Sequence, residues 1–132
     1  MIKTISVKTS ARTEMVDVTA LVERELAGTG ISEGRVTLYV PHTTAAITIN
    51  EGADPAVKAD VLMMLNRIVP WEADYKHQEG NSPAHVKASV VGPSETVLIS
   101  QGRLLLGTWQ RIFFCEFDGP RNRQILVQAS SC

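Results

Sequence analysis

Thr108-Trp-Gln-Arg-Ile-Phe-Phe-Cys-Glu-Phe117, then Asp118-Gly-Pro-Arg121, then Gln124-Ile-Leu-Val-Gln-Ala129 is the stretch that decides the fold class. Two runs rich in β-branched and aromatic residues flank four residues of turn composition, which predicts two strands joined by a turn. Residues 2–8, 35–40, 45–50 and 96–100 read as further strands by the same criterion. Three helices are expected among them. The first is capped by Asp17, carries Val18, Leu21, Val22 and Leu26 at helical spacing, and stops at Gly28. The second has Asp54 as cap, Pro55 at its first position, a stripe of Val57, Val61, Leu65 and Ile68, and Pro70 as its stop. Met63 and Met64 on it read as core filling. A polar loop spans 71–81, and Ser82-Pro83 then opens a short helix reaching about Ala88. Strands dominate and do not alternate strictly with helices. The expectation is one compact α+β domain over residues 1–132, a largely antiparallel sheet or sandwich with helices packed on one side.

The chain has 132 residues, 44% of them hydrophobic and 20% charged, the balance of a soluble globular domain with a core of its own. Thirteen basic against fourteen acidic residues give a net charge of −1. That balance argues against a protein held to nucleic acid by phosphate attraction, which normally shows a basic excess. No apolar run has the length of a membrane span. The opening residues MIKTISVKTS alternate apolar and polar, unlike a secretory signal. Cys115 lies in an apolar run and Cys132 is the last residue, so two free thiols are expected rather than a disulfide. Together these readings point to the cytoplasm.

Chemistry-bearing residues are few. The histidines are His42, beside Pro41 and two threonines, and His77 and His85, which flank Gly80-Asn81-Ser82-Pro83. That junction can turn both imidazoles toward one point, and His85 falls in a first helical turn, where the dipole disfavours imidazolium. Three neutral imidazoles with a fourth position left for water would suit a catalytic zinc, although each histidine taken singly reads more readily as a solvated or hydrogen-bonded surface residue. Glu51 closes the strand that His42 precedes, and Glu116 and Asp118 close the strand of residues 108–117. Alternation puts Glu116 on the face of Gln110, Ile112 and Phe114, opposite Phe113 and Cys115. If buried there, it needs a partner such as Arg121 or Arg123. Gly102 and Gly107 bracket a segment whose backbone amides could meet an anion, or which could simply turn twice.

Four blocks carry a resemblance: residues 41–51, Pro-His-Thr-Thr-Ala-Ala-Ile-Thr-Ile-Asn-Glu; His77 with Gly80-Asn-Ser-Pro-Ala-His85; Gln101-Gly102 with Gly107-Thr-Trp-Gln110; and Glu116-Phe-Asp-Gly-Pro-Arg121. In this order they resemble the YjbQ family of small proteins. The resemblance implies an α+β fold, a homotrimer, and a metal cluster of His42, His77 and His85. It also implies thiamine-phosphate synthase activity, as a secondary activity, which joins an aminopyrimidine diphosphate to a thiazole phosphate with release of pyrophosphate. The expected cofactor is a divalent metal, zinc by the donor type. Glu51, Glu116 or Asp118 would orient an imidazole or take a proton. Arg121 would fork a phosphate, with Thr43, Thr44, Asn81, Ser82 and Gln110 as neutral hydrogen-bonding groups. The partner expected is a phosphorylated small molecule, with neither nucleic acid nor membrane. Two alternatives share the site: a metal-dependent hydrolase of such a molecule, and a non-catalytic assembly protein clamped by the metal.

Overall fold

The computed structural model describes residues 1–132. Eight strands and three helices follow in the order β1 (Lys3–Lys8), β2 (Glu14–Asp17), α1 (Thr19–Ala27), β3 (Gly34–Tyr39), β4 (Ala45–Glu51), α2 (Pro55–Ile68), α3 (Ser82–Val91), β5 (Ser94–Ser100), β6 (Arg103–Leu104), β7 (Gln110–Glu116) and β8 (Asn122–Ser131). They form a five-stranded sheet, β1-β8-β3-β5-β6, and a three-stranded sheet, β2-β7-β4. Every pairing is antiparallel. The expected α+β domain is the observed one. No helix is long and apolar enough to cross a membrane.

The alternation along β7 explains the layering. Ile112 and Phe114 face the five-stranded sheet and join Ile5, Val36, Leu38, Val97, Ile125 and Val127 in the larger core. Phe113 and Cys115 face the other way, into a smaller core with Met15, Ala46, Leu65, Ala84 and Ala88. Both faces of β7 are therefore covered in its middle, which is why Ile112–Cys115 reads as an apolar run. The alanines of β4 and α3 let that helix lie close to the sheet. Helices α2 and α3 cover the three-stranded sheet, while α1 sends Val22 and Leu26 into the larger core.

Several local expectations hold and several shift. Asp54 caps α2, its side chain accepting the Ala56 N–H at 2.9 Å, with Pro55 at the first position. Asp17 instead ends β2, a strand too short to leave a period, but its carboxylate still accepts the Thr19 N–H at 3.0 Å. Strand β6, of two residues, went unread for the same reason. Asn81, not Ser82, is the α3 cap residue, and the helix runs to Val91 rather than Ala88. Met63 and Met64 are exposed, and so is Ile68 at the end of the stripe, because α2 presents Val61, Leu62 and Leu65 to the smaller core. Successive helical residues lie about 100° apart, so positions 63 and 64 turn toward solvent. Both cysteines are free, and burial pushes the Cys115 thiol up to about 12, leaving it unreactive.

Candidate functional site

Three connections pass from one sheet to the other at the same end of the sandwich: residues 9–13 from β1 to β2, 40–44 from β3 to β4, and 117–121 from β7 to β8. A polar side chain at each crossing ties it to the next. Glu116, fully buried, is the hub. Its Oε1 accepts from Thr9 Oγ1 at 2.7 Å and from Arg123 Nε at 2.9 Å. Its Oε2 accepts from the Phe117 and Asp118 N–H groups, both at 3.1 Å, and from Arg123 Nη2. Arg123 Nη2 also reaches Thr44 Oγ1 at 2.8 Å. Burial opposes ionisation of Glu116, but hydrogen bonds from Arg123, Thr9 and the Asp118 N–H outweigh it and hold the carboxyl below its ordinary value. Of the two arginines the sequence offered as its partner, Arg123 is the one used.

Arg121 pairs elsewhere. Its Nε donates to the Asp118 carbonyl at 2.7 Å and its Nη2 to Asp118 Oδ2 at 3.0 Å. The same Oδ2 accepts from Asn81 Nδ2 at 2.9 Å, which ties the start of α3 to the 118–121 turn. Gly119 is required by close approach: an added Cβ would stand 2.3 Å from the Ala11 carbonyl oxygen.

An open cleft of about 710 Å³ lies over these crossings. Its lining comes from the end of β3 and the 40–44 crossing (Tyr39, Pro41, His42, Thr43, Thr44), from the segment before α3 and its first turn (His77, Glu79, Asn81, His85), and from the 117–121 crossing and the start of β8 (Asp118, Arg121, Arg123). The lining is almost wholly polar, unlike a pocket for an apolar ligand. His77 and His85 meet edge to face with ring centroids 5.4 Å apart. His42 is half-buried, and its Nε2 accepts the Gln124 backbone N–H at 2.9 Å. Burial, and then the Arg123 charge, lower the His42 pKa from its ordinary value.

Eight of the expected site residues thus share one cleft: His42, His77, His85, Thr43, Thr44, Asn81, Asp118 and Arg121. Four do not line it. Glu116 sits behind the wall, and with both oxygens engaged it is a positioning group and no base. Ser82 is adjacent but outside the lining. Glu51 and Gln110 are register partners at the opposite end of β4 and β7, about 20 Å along the strand from Thr44. Glu51 caps locally, accepting the Asp54 N–H at 3.2 Å. The Gly102–Gly107 amides are not an anion cradle: Gly102 N–H donates to Ser32 O, Leu105 N–H to Leu98 O, and Gly107 N–H to Gln110 Oε1. Asp118 is left as the one expected carboxylate in the cleft, its Oδ1 free of hydrogen bonds within the chain. Sequence reasoning missed Tyr39 and Glu79, and weighed Arg123 only as a partner for Glu116.

Imidazoles suit a divalent first-row metal by type. By placement they do not make the expected centre, since no three His, Cys, Asp or Glu side chains stand close enough to hold an ion. His42 Nε2 is committed to the Gln124 N–H, and the ring contact among the histidines is between His77 and His85. The three-histidine cluster does not fit within one chain as folded.

A family model described as UPF0047 protein YjbQ-like matches residues 3–132. The UPF0047 protein YugU of Bacillus subtilis is 53% identical across 97% of this chain and 98% of its own. A UPF0047 protein of Methanocaldococcus jannaschii is 49% identical across 92% and 88%. A crystal structure of a YjbQ/UPF0047 family protein from Clostridium acetobutylicum superposes with a TM-score of 0.95 at 48% identity, covering 97% of this chain and 99% of that one.

Proposed function

This chain belongs to the YjbQ-like UPF0047 family, and from that premise we propose that the cleft binds a phosphorylated small molecule through Arg121 and serves thiamine-phosphate formation. The observation that carries this reading is the anchoring of Arg121. Two hydrogen bonds to Asp118 set the guanidinium plane and leave Nη1 unpaired at the rim of a polar cleft. A planar guanidinium held in this way matches phosphate oxygens better than a free surface cation. In the proposed step the carbon–oxygen bond to the diphosphate breaks, its electron pair leaves with pyrophosphate, and the thiazole nitrogen bonds to the carbon. Arg121 would stabilise the departing charge, with Thr43 and the histidines offering further hydrogen bonds. The homotrimer belongs to the same reading, because exposed Tyr39 at the cleft rim and Leu98 on the outer sheet face are side chains a second copy would cover.

Arg121→Lys tests it. The change keeps the charge and removes the fork, so calorimetric titration should show pyrophosphate binding weakened by about 1–3 kcal/mol. The thermal midpoint should barely move, because the Arg121 side chain is half exposed and its pairing with Asp118 is near the surface. Equal affinity in both proteins would refute Arg121 as anchor.

A further inference from the structure

Two donors at the cleft are held by the fold before any ligand arrives. Arg123 is 5% exposed, with Nε and Nη2 committed to Glu116 and Thr44. No hydrogen bond uses its Nη1. Asn81 Oδ1 is the only walled-off side-chain polar atom without a partner, so Nη1 is not sealed in; it opens on the cleft that Arg123 lines. The second donor is His42. Strand β3 ends at Tyr39, whose register partner on β8 is Leu126, so Gln124 lies past the end of the ladder. The His42 ring stands where the next strand acceptor would be, and Nε2 takes the Gln124 N–H. A nitrogen that accepts a hydrogen bond carries no proton, so the neutral ring must carry its proton on Nδ1. That leaves Nδ1–H as the only polar atom His42 has for the cleft.

We propose that Arg123 Nη1 and the Nδ1–H of neutral His42 form a preset oxyanion seat for the ligand's phosphoryl group, with Arg121 as the outer contact. The proposal rests on the phosphorylated-ligand reading above and deepens it by naming the inner contacts. It also gives His42 a task opposed to metal ligation: its donor faces the cleft, and its lone pair faces the backbone. Both donors hang on neighbouring residues of β8, so the Glu116–Arg123 pair and the Gln124 N–H set their separation together. A fixed donor pair of this kind stabilises developing charge on oxygen without reorganising at the moment of reaction.

The test uses the whole, chelator-treated protein with 15N-labelled histidine, and pyrophosphate as the probe. Long-range proton–nitrogen spectra near pH 7.5 (roughly one unit above the ordinary imidazole value) should show His42 protonated on Nδ1. Its Nδ1 proton should shift when pyrophosphate is added. His42→Asn, which places an amide N–H near the Nδ1 position, should bind pyrophosphate within about threefold of the parent, and His42→Phe should lose about tenfold or more. A His42 ring protonated on Nε2, or a His42→Phe variant of undiminished affinity, overturns the seat while leaving the phosphorylated-ligand reading standing. Absence of any pyrophosphate binding by the parent overturns both. The spectra need no variant, so a misfolded substitution does not blunt the test.

Discussion

Strand β7 carries a charged pair at each of its ends, and the two ends differ in every respect that matters. At its start Arg111 meets Asp17 at 2.8 Å, with side chains 42% and 36% exposed. At its finish Glu116 meets Arg123, with the acid fully buried and the arginine 5% exposed. Water competes for the first pair and screens it, so it adds little. The second pair has left water behind, and its desolvation is offset only because five groups supply the carboxylate's hydrogen bonds. The first links β2 to β7 within one sheet, whereas the second joins the two sheets at the floor of the cleft. An ion pair shapes a site when burial makes its partners obligatory.

The sharpest way to break this contrast is Glu116→Ala. It strands the Arg123 charge in the interior and should lower unfolding free energy by about 3–5 kcal/mol, read from the midpoint of a denaturant titration. A loss under about 1 kcal/mol would mean that water reaches the pair and that the two ends are alike.

Acid should act on the same end. The folded Glu116 pKa lies below its ordinary value of 4.5, so the unfolded chain takes up a proton first on acidification. The stabilisation is therefore complete above that value and is lost as pH falls through the lower folded pKa. His42 adds a loss of the same sign that begins higher, as pH falls below 6.5, because its folded pKa is also lowered. Unfolding midpoints measured from pH 7 down to about 3 should fall in these two steps, and Glu116→Ala should shrink the lower one to the share left by Asp17, whose carboxyl is held low against its partial burial by the Arg111 hydrogen bond. A flat profile would remove the pair from the account of stability.

Asp17→Asn sits at the small end of the scale. Removing the charge beside Arg111 while keeping an oxygen for the Thr19 N–H should change stability by at most about 1 kcal/mol, and less at high salt. An effect as large as that of Glu116→Ala would erase the distinction between exposed and buried pairs.

The readable parts of the fold were those whose signals are local. Asp54 and Pro55 announce the start of α2 because capping acts within three residues. The parity of β7 sorted Ile112 and Phe114 from Phe113 and Cys115 because side chains alternate across a strand. The strands β2 and β6 were invisible, since four residues and two residues carry no period. In the site, the four polar blocks named most of the cleft, but their kinship suggested that Glu51 and Gln110 belonged with them. β4 and β7 carry those two to the far end of the sheet.

Residue order alone settles the antiparallel α+β architecture, the caps of α2, the two faces of β7, and the polar segments from which a site can be made. Folding alone settles who meets whom. Arg121 and Arg123 share a parity, so no pattern could choose the partner of Glu116. The choice follows from β8 beginning at Asn122, which leaves Arg121 in the turn with Asp118 and puts Arg123 inside the sandwich. Thr9 with Glu116, Thr44 with Arg123, and His42 with Gln124 are separated by 107, 79 and 82 positions. Propensity and capping reach only a few residues along the chain, whereas these contacts exist because three crossings between the sheets converge at one end of the sandwich.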